Sequence, residues 1–322
     1  MRNLETKKIK YFQLQNGKIE PEIILSYELF GQPIGEFPVV LVNHALTGNS
    51  NVAGENGWWN TLIGFDKAID LNRFTVLAFN IPGNGFEDNH NLIDNYRDFT
   101  TYDIASLFWK VIDYLQVKCL FANIGGSLGG AIVWEMTFQR PDFAQNIIPI
   151  ATHFESSAWV ISNAMVQDLI LNHSDNPIYD ARIHAMLLYR TPESLNSKFG
   201  RNFQDNLADQ FQVESWLVHH GEKLKQRFDL KSYKMMNYLL RTINLKQIQI
   251  EDITAKIQAN IHLVAIDSDL LFDAKSTKEL YNQIKEKKAN VYLNEINSIH
   301  GHDAFLIEFE QLNEIIAPIF RT

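Results

Sequence analysis

Short apolar runs alternate with longer amphipathic ones along the first half of this chain. P-V-V-L-V-N (38–43), F-T-V-L-A-F-N-I (74–81), C-L-F-A-N-I (119–124) and N-I-I-P-I-A (146–151) are continuous apolar stretches of strand length. That is the pattern of strands buried on both faces. I-I-L-S-Y-E-L-F (23–30) alternates instead, as a half-buried strand does, and stops at Gly31. Over 103–115 and 128–138 the apolar residues recur every three or four positions, which predicts helices. Strands alternating with helices predict a mostly parallel sheet with helices on both faces.

The pattern changes from about Ser156 to Ile248. This stretch is rich in Leu, Met, Gln, Asn and Trp and has few β-branched runs, so it reads as helical. I-H-L-V-A-I (261–266) then returns as a buried strand. A helix is expected over 275–288, a strand over A-N-V-Y-L-N-E-I (289–296), and a closing helix over 304–319. These elements predict an α/β core made of 1–155 and 249–322. Residues 156–248 would be inserted into it as a helical cap, or lid, over the sheet.

Composition narrows the possibilities. The chain has 322 residues and 46% of them are hydrophobic, enough for a substantial core. A net charge of -9 argues against nucleic acid and anionic membrane surfaces as partners. The N-terminal M-R-N-L-E-T-K-K-I-K lacks the apolar core of a signal peptide, and no apolar run approaches transmembrane length. These features lead us to expect a cytoplasmic protein. The single cysteine, Cys119, excludes an internal disulfide and is expected to act as a small buried hydrophobe. No Cys/His cluster has metal-ligand spacing, so no metal is expected.

Candidate chemistry centres on G-G-S-L-G-G (125–130), which follows a buried strand and opens a helical pattern. G-x-S-x-G in that setting is a nucleophile elbow. The turn is so tight that residues two away from Ser127 must lack side chains. Its hydroxyl is then held at the carboxyl edge of the sheet, at a helix N-terminus that favours developing negative charge. A hydroxyl needs a base, and proteins with this elbow supply an acid and then a histidine further along the chain. D-S-D (267–269) follows the strand 261–266. S-I-H-G-H-D-A-F-L (298–306) follows the strand 289–296. Both lie on the Ser127 edge, so a Ser-His-Asp triad fits. Spacing alone leaves Asp267 or Asp269 as the acid and His300 or His302 as the base. The oxyanion amides are expected from Leu128 and from H-A-L (44–46), through Leu46. His44 is far upstream of the expected base and is read as a packed, hydrogen-bonded histidine.

With these residues assembled, the chain resembles the homoserine O-acetyltransferase family of α/β-hydrolase-fold enzymes. The resemblance rests on L-V-N-H-A-L-T-G-N (41–49), G-W-W (57–59), G-G-S-L-G-G (125–130), A-R-x-x-A-M-x-x-Y-R (181–190), D-S-D-L-L-F (267–272) and G-H-D-A-F-L (301–306), in the family's order. It implies that Asp269 is the acid and His302 the base. It also implies that Arg182 binds the homoserine carboxylate, with Tyr189 beside it, and that Asp303 binds the ammonium. A bidentate guanidinium suits a carboxylate. Seven helical steps return a side chain to within about 20° of its first direction, so Arg182 and Tyr189 would share a helix face.

The resemblance further implies acetyl transfer from acetyl-CoA to L-homoserine by a ping-pong mechanism in methionine biosynthesis. Acetyl-CoA would be a co-substrate, with no permanently bound cofactor. A homodimer formed through cap helices is implied as well, and M-M-N-Y-L-L (235–240) is one apolar stretch that could serve it or could be cap core. The chain departs from the family at I-P-G-N-G-F (81–86) and in N-H-S-D-N-P-I-Y-D before Arg182. Those changes bear on the acyl-CoA channel and the choice of acyl group. A succinyl-CoA donor, a serine acceptor, or plain ester hydrolysis on the same triad are the alternatives.

Overall fold

The computed structural model describes residues 4–86, 92–204 and 207–321. Its centre is an eight-stranded sheet: β1 (Leu4–Gln13), β2 (Ile19–Gly31), β3 (Val39–Asn43), β4 (Thr75–Phe79), β5 (Leu120–Gly126), β6 (Ala144–Ile150), β7 (Asn260–Ile266) and β8 (Val291–Ile296). The spatial order is β1-β2-β4-β3-β5-β6-β7-β8. β1 and β2 form an antiparallel pair, β2 meets β4 antiparallel, and every later pairing is parallel. β1 was not apparent in the hydropathy pattern. Its sequence L-E-T-K-K-I-K-Y-F-Q is mostly polar because it is an edge strand, and charged side chains protect such an edge.

Each residue of β3 and β4 is buried. Alternate side chains enter different cores. Leu41 packs in one cluster with Leu107 and Ile132, from α1 (Thr101–Tyr114) and α2 (Leu128–Gln139). Val40 and Val42 pack in another with Leu312 and Ile316 of the C-terminal helix Phe309–Phe320. Two covered faces explain why these strands read as unbroken apolar runs.

Between β6 and β7 the chain forms α3 (Ala158–His173), α4 (Pro177–Tyr189), α5 (Pro192–Phe199), α6 (Gln212–Lys225) and α7 (Leu230–Leu240). A short hairpin, Phe203–Gln204 with Leu207–Phe211, interrupts the helical stretch. α4 packs on α3 and α6, α3 also packs on α7, and α4 reaches the 3-10 turn Gly301–Leu306. Val160, Ala164, Met235, Met236 and Leu239 are buried in the same apolar cluster as α1 and α2. The helical segment therefore shares its core with the sheet.

Two expectations are corrected. The closing helix is broken: Gly301–Leu306 is 3-10, Ile307 leaves helical geometry, and the α-helix starts at Phe309. Cys119 is exposed, because it sits in the irregular segment just before β5. Of the two readings left open for 235–240, the burial of Met235, Met236, Leu239 and Leu240 favours core of the helical segment. α3 carries a cluster of exposed apolar side chains: Trp159, Ile161, Met165, Val166 and Leu169. Among the described residues no helix is long and apolar enough to cross a membrane.

Candidate active site

Ser127 sits between β5 and α2 with φ 56° and ψ -125°, a conformation that costs a non-glycine residue on the order of 1–3 kcal/mol. The surroundings enforce it. A Cβ on Gly125 would lie 2.5 Å from the Gly129 carbonyl carbon, and one on Gly129 would lie 2.2 Å from the Asn43 carbonyl oxygen. Only glycine at both positions lets the first turn of α2 press against the end of β3. That contact brings the Leu128 amide beside the 44–46 loop. Among the described residues neither the Leu46 nor the Leu128 N–H donates to a protein acceptor. Both are free to bind an oxyanion.

The structure brings Ser127, Asp269 and His302 together. His302 Nε2 lies 2.8 Å from Ser127 Oγ, and its Nδ1 lies 2.7 Å from Asp269 Oδ2. All three residues are buried. Asp269 Oδ1 accepts the amides of Leu271 (2.7 Å) and Phe272 (3.0 Å), which aims the other oxygen at the imidazole. Burial alone would lower the His302 pKa. The charge and hydrogen bond of Asp269, with Asp303 adding to them, outweigh it, and the pKa is raised. Three rings frame the imidazole: Tyr189 at 5.6 Å, Phe305 at 5.7 Å and Phe272 at 5.8 Å between centroids.

The two ambiguous pairs separate by geometry. Asp267 Oδ1 accepts the Ser298 amide at 3.0 Å, tying the loop after β7 to the loop after β8. Ser268 reinforces that tie through the Ser298 carbonyl and the Gly301 amide. His300 faces the helical segment, with Nδ1 2.9 Å from both Arg190 Nη2 and Ser194 Oγ. Among the described residues neither Asp267 nor His300 bonds to Ser127, and each braces a loop that carries a triad member.

Arg182 and Tyr189 do share a face of α4, with the guanidinium carbon 5.6 Å from the ring centroid. Burial first, and then Asp303, push the Tyr189 hydroxyl up to about 12, against the opposing pull of Arg182. Burial also raises Asp303, while Arg182, His302 and Arg190 pull it down. Arg182 makes no hydrogen bond or ion pair with the described residues. It is a cation, close enough to a carboxylate to influence it, yet without a fixed partner.

Sequence reasoning missed several lining residues. Tyr233 and Asn237 of α7 and Leu271 line a narrow cavity that also touches Leu46 and Tyr189. Arg227 reaches back from the α6–α7 turn to the Thr47 carbonyl at 3.0 Å. No local spacing marks these residues, because they reach the site only through the packing of α7 against α3 and of α4 against the 3-10 turn.

The α/β hydrolase fold family matches residues 38–306, and the chain belongs to it. A homoserine O-acetyltransferase of Methanosphaera stadtmanae is 31% identical, over 98% of this chain and 73% of that protein. The crystal structure of a homoserine O-acetyltransferase from Bacillus anthracis superposes with a TM-score of 0.88 at 18% identity, covering 100% of this chain and 98% of that one. An esterase superposes with a TM-score of 0.87, also at 18% identity, covering 99% and 100%. The two structures share the fold equally, so the fold does not separate transfer from hydrolysis. The sequence does: within the α/β hydrolases, this chain is a member of the homoserine O-acetyltransferase family.

Proposed function

We propose that the protein transfers an acetyl group from acetyl-CoA to the side-chain hydroxyl of L-homoserine, a step of methionine biosynthesis, with Ser127 as nucleophile, His302 as base and Asp269 as its orienting acid. His302 takes the Ser127 proton as Oγ adds to the thioester carbonyl. The amides of Leu46 and Leu128 stabilise the resulting oxyanion. The tetrahedral adduct collapses, the thiolate leaves with the proton from His302, and acetyl-Ser127 remains. Homoserine then enters, His302 removes its hydroxyl proton as the oxygen adds to the acetyl carbonyl, and the adduct collapses with the Oγ–acyl bond broken and the proton returned from His302 to Ser127.

The observation that carries the reading is a pair of opposite charges, Arg182 and Asp303, close enough to influence each other beside Tyr189 and His302. A zwitterionic amino acid needs a cation for its carboxylate and an anion for its ammonium, whereas a simple ester needs neither. The unpaired Arg182 suits a carboxylate ligand. The helical segment 156–248 acts in this reading as a cap that keeps water from the acetyl-enzyme. The exposed apolar face of α3 suits a homodimer contact. Acetyl-CoA is an intracellular metabolite, which places the reaction in the cytoplasm.

The test is release of free CoA thiol over a small grid of donors (acetyl- and succinyl-CoA) and acceptors (homoserine, serine and water). Release from acetyl-CoA that depends on homoserine is the expected result. Release indifferent to the acceptor would make the protein a hydrolase.

A further inference from the structure

The Leu46 amide is aimed by its own peptide plane. In a trans peptide the C=O of residue 45 and the N–H of residue 46 point in opposite directions, so whatever holds the Ala45 oxygen sets the direction of the Leu46 N–H. Two donors hold it: His44 Nδ1 at 2.7 Å and the Gly48 amide at 2.9 Å. The other ring nitrogen, Nε2, accepts the Ile81 amide at 3.0 Å. An acceptor at Nε2 leaves the proton on Nδ1, so the tautomer is assigned by the hydrogen bonds.

This ring is anchored from behind. Ile81 follows β4, the strand beside β3. Asn84 Nδ2 lies 3.4 Å from Nε2 and 3.2 Å from Asn80 Oδ1. Asn80 Oδ1 accepts the Ser50 amide at 2.8 Å, and Ser50 Oγ donates to Glu28 Oε2 at 2.5 Å. His44, Ser50, Asn80, Asn84 and Glu28 are all buried. A fully paired buried network of this kind is rigid. It runs from the interior of the sheet to one peptide group at the mouth of the site. A histidine present only to fill space would not need both nitrogens engaged, one on each side of the loop.

We infer that His44 is a positioning residue, whose Nδ1–H holds the Ala45 carbonyl so that the Leu46 amide points at the oxyanion formed on Ser127. The inference rests on Ser127 being the acyl-accepting nucleophile, and it holds for transfer and hydrolysis alike.

The experiment compares His44→Leu, which removes both ring contacts, with His44→Asn, whose amide nitrogen falls near the position of Nδ1. Three quantities are read for each: acyl transfer or p-nitrophenyl acetate hydrolysis, inhibition by methylboronic acid, and Tm. Ser127 Oγ adds to the boron and gives up its proton to His302. The tetrahedral adduct then presents an oxygen to the hole. His44→Leu is expected to lower kcat by about 10²–10³, the usual cost of one lost oxyanion donor, and to weaken the boronate by a comparable factor, with KM nearly unchanged. His44→Asn is expected to recover most of both. If His44→Leu does not fold, His44→Gln replaces it, because its amide reaches toward Ile81 and leaves the Ala45 carbonyl without its side-chain donor. Equal losses in the Leu (or Gln) and Asn variants that track Tm would overturn the inference. So would a boronate affinity that stays constant while the rate falls. A wild-type protein that shows no CoA release, yet hydrolyses the nitrophenyl ester and follows this pattern, would sink the transferase reading and leave His44 in its role.

Discussion

The sheet edge and the helical segment α3–α7 meet around His302, and they contribute different things. Ser127, Asp269, His302 and the Leu46 and Leu128 amides all sit at the ends of strands β3, β5, β7 and β8. Those strands are parallel, β3, β5 and β7 are largely buried, and their loops are braced by Asp267, Ser268 and the paired glycines. Arg182 and Tyr189 come from α4, and Tyr233 from α7. The same fold is found in an esterase of nearly equal structural similarity. In the proposed reaction the rigid edge supplies the chemistry, while the helices supply the choice of who receives the acyl group. Precision is easier to hold on strands, and selection is easier to vary on an insertion.

The strongest way to break this division is Ser127→Ala. We expect acyl transfer to fall by about 10⁴-fold or more while Tm stays within a few degrees, because the hydroxyl carries the reaction. Mass spectrometry after incubation with acetyl-CoA should show no acetylated protein. Retained transfer would remove the serine from the chemistry.

A core substitution in the insertion tests whether the helical segment is fused to the sheet. Met236 is fully buried in the cluster that also contains α1 and α2 side chains. Met236→Ala should destabilise the whole chain by about 2–5 kcal/mol, with one cooperative transition in denaturant. Two separate transitions would mean the insertion folds as its own unit.

Arg182→Ala probes the choice itself. The expected effect is a rise of about 10²-fold in the homoserine KM. The rate of acetyl-enzyme formation from acetyl-CoA should be nearly unchanged, because that half-reaction needs no zwitterion pocket. Equal damage to both half-reactions would give Arg182 a structural role.

The smallest effect expected is a pH shift. His302 must be neutral to act as a base, and its pKa is raised, chiefly by Asp269 against the effect of burial. The acid limb of kcat/KM should therefore have its midpoint above the ordinary histidine value of about 6.5. Activity is full above that midpoint and is lost as pH falls through it. Asp269→Asn removes the charge, so the remaining activity should titrate at lower pH. A midpoint that does not move would separate Asp269 from the base.

The comparison also explains what could be read from residue order. Buried parallel strands are short and almost purely apolar, so 38–43, 74–81, 119–124, 146–151 and 261–266 each lie within a residue or two of a real strand. β1 escaped because an edge strand has one solvent-facing side and carries charges. The break at Ile307 escaped because it depends on how the 3-10 turn packs below α4.

By itself, the sequence determined the alternation of strands and helices, the sharp glycine-flanked turn at Ser127, and the chain order of serine, acid and base. These are local or nearly local: they follow from side-chain periodicity and from steric limits on a few φ/ψ angles. Spacing left Asp267 or Asp269 and His300 or His302 open, the family resemblance chose Asp269 and His302, and only the tertiary structure shows these two joined to Ser127 by hydrogen bonds. The tertiary structure alone also decided that Met235 and Met236 point inward, that Cys119 lies outside, and that His44 reaches both Ala45 and Ile81. Residues one or two positions apart after a strand can point to opposite sides of a loop. Which side each one faces depends on hydrogen bonds to segments far away in the chain.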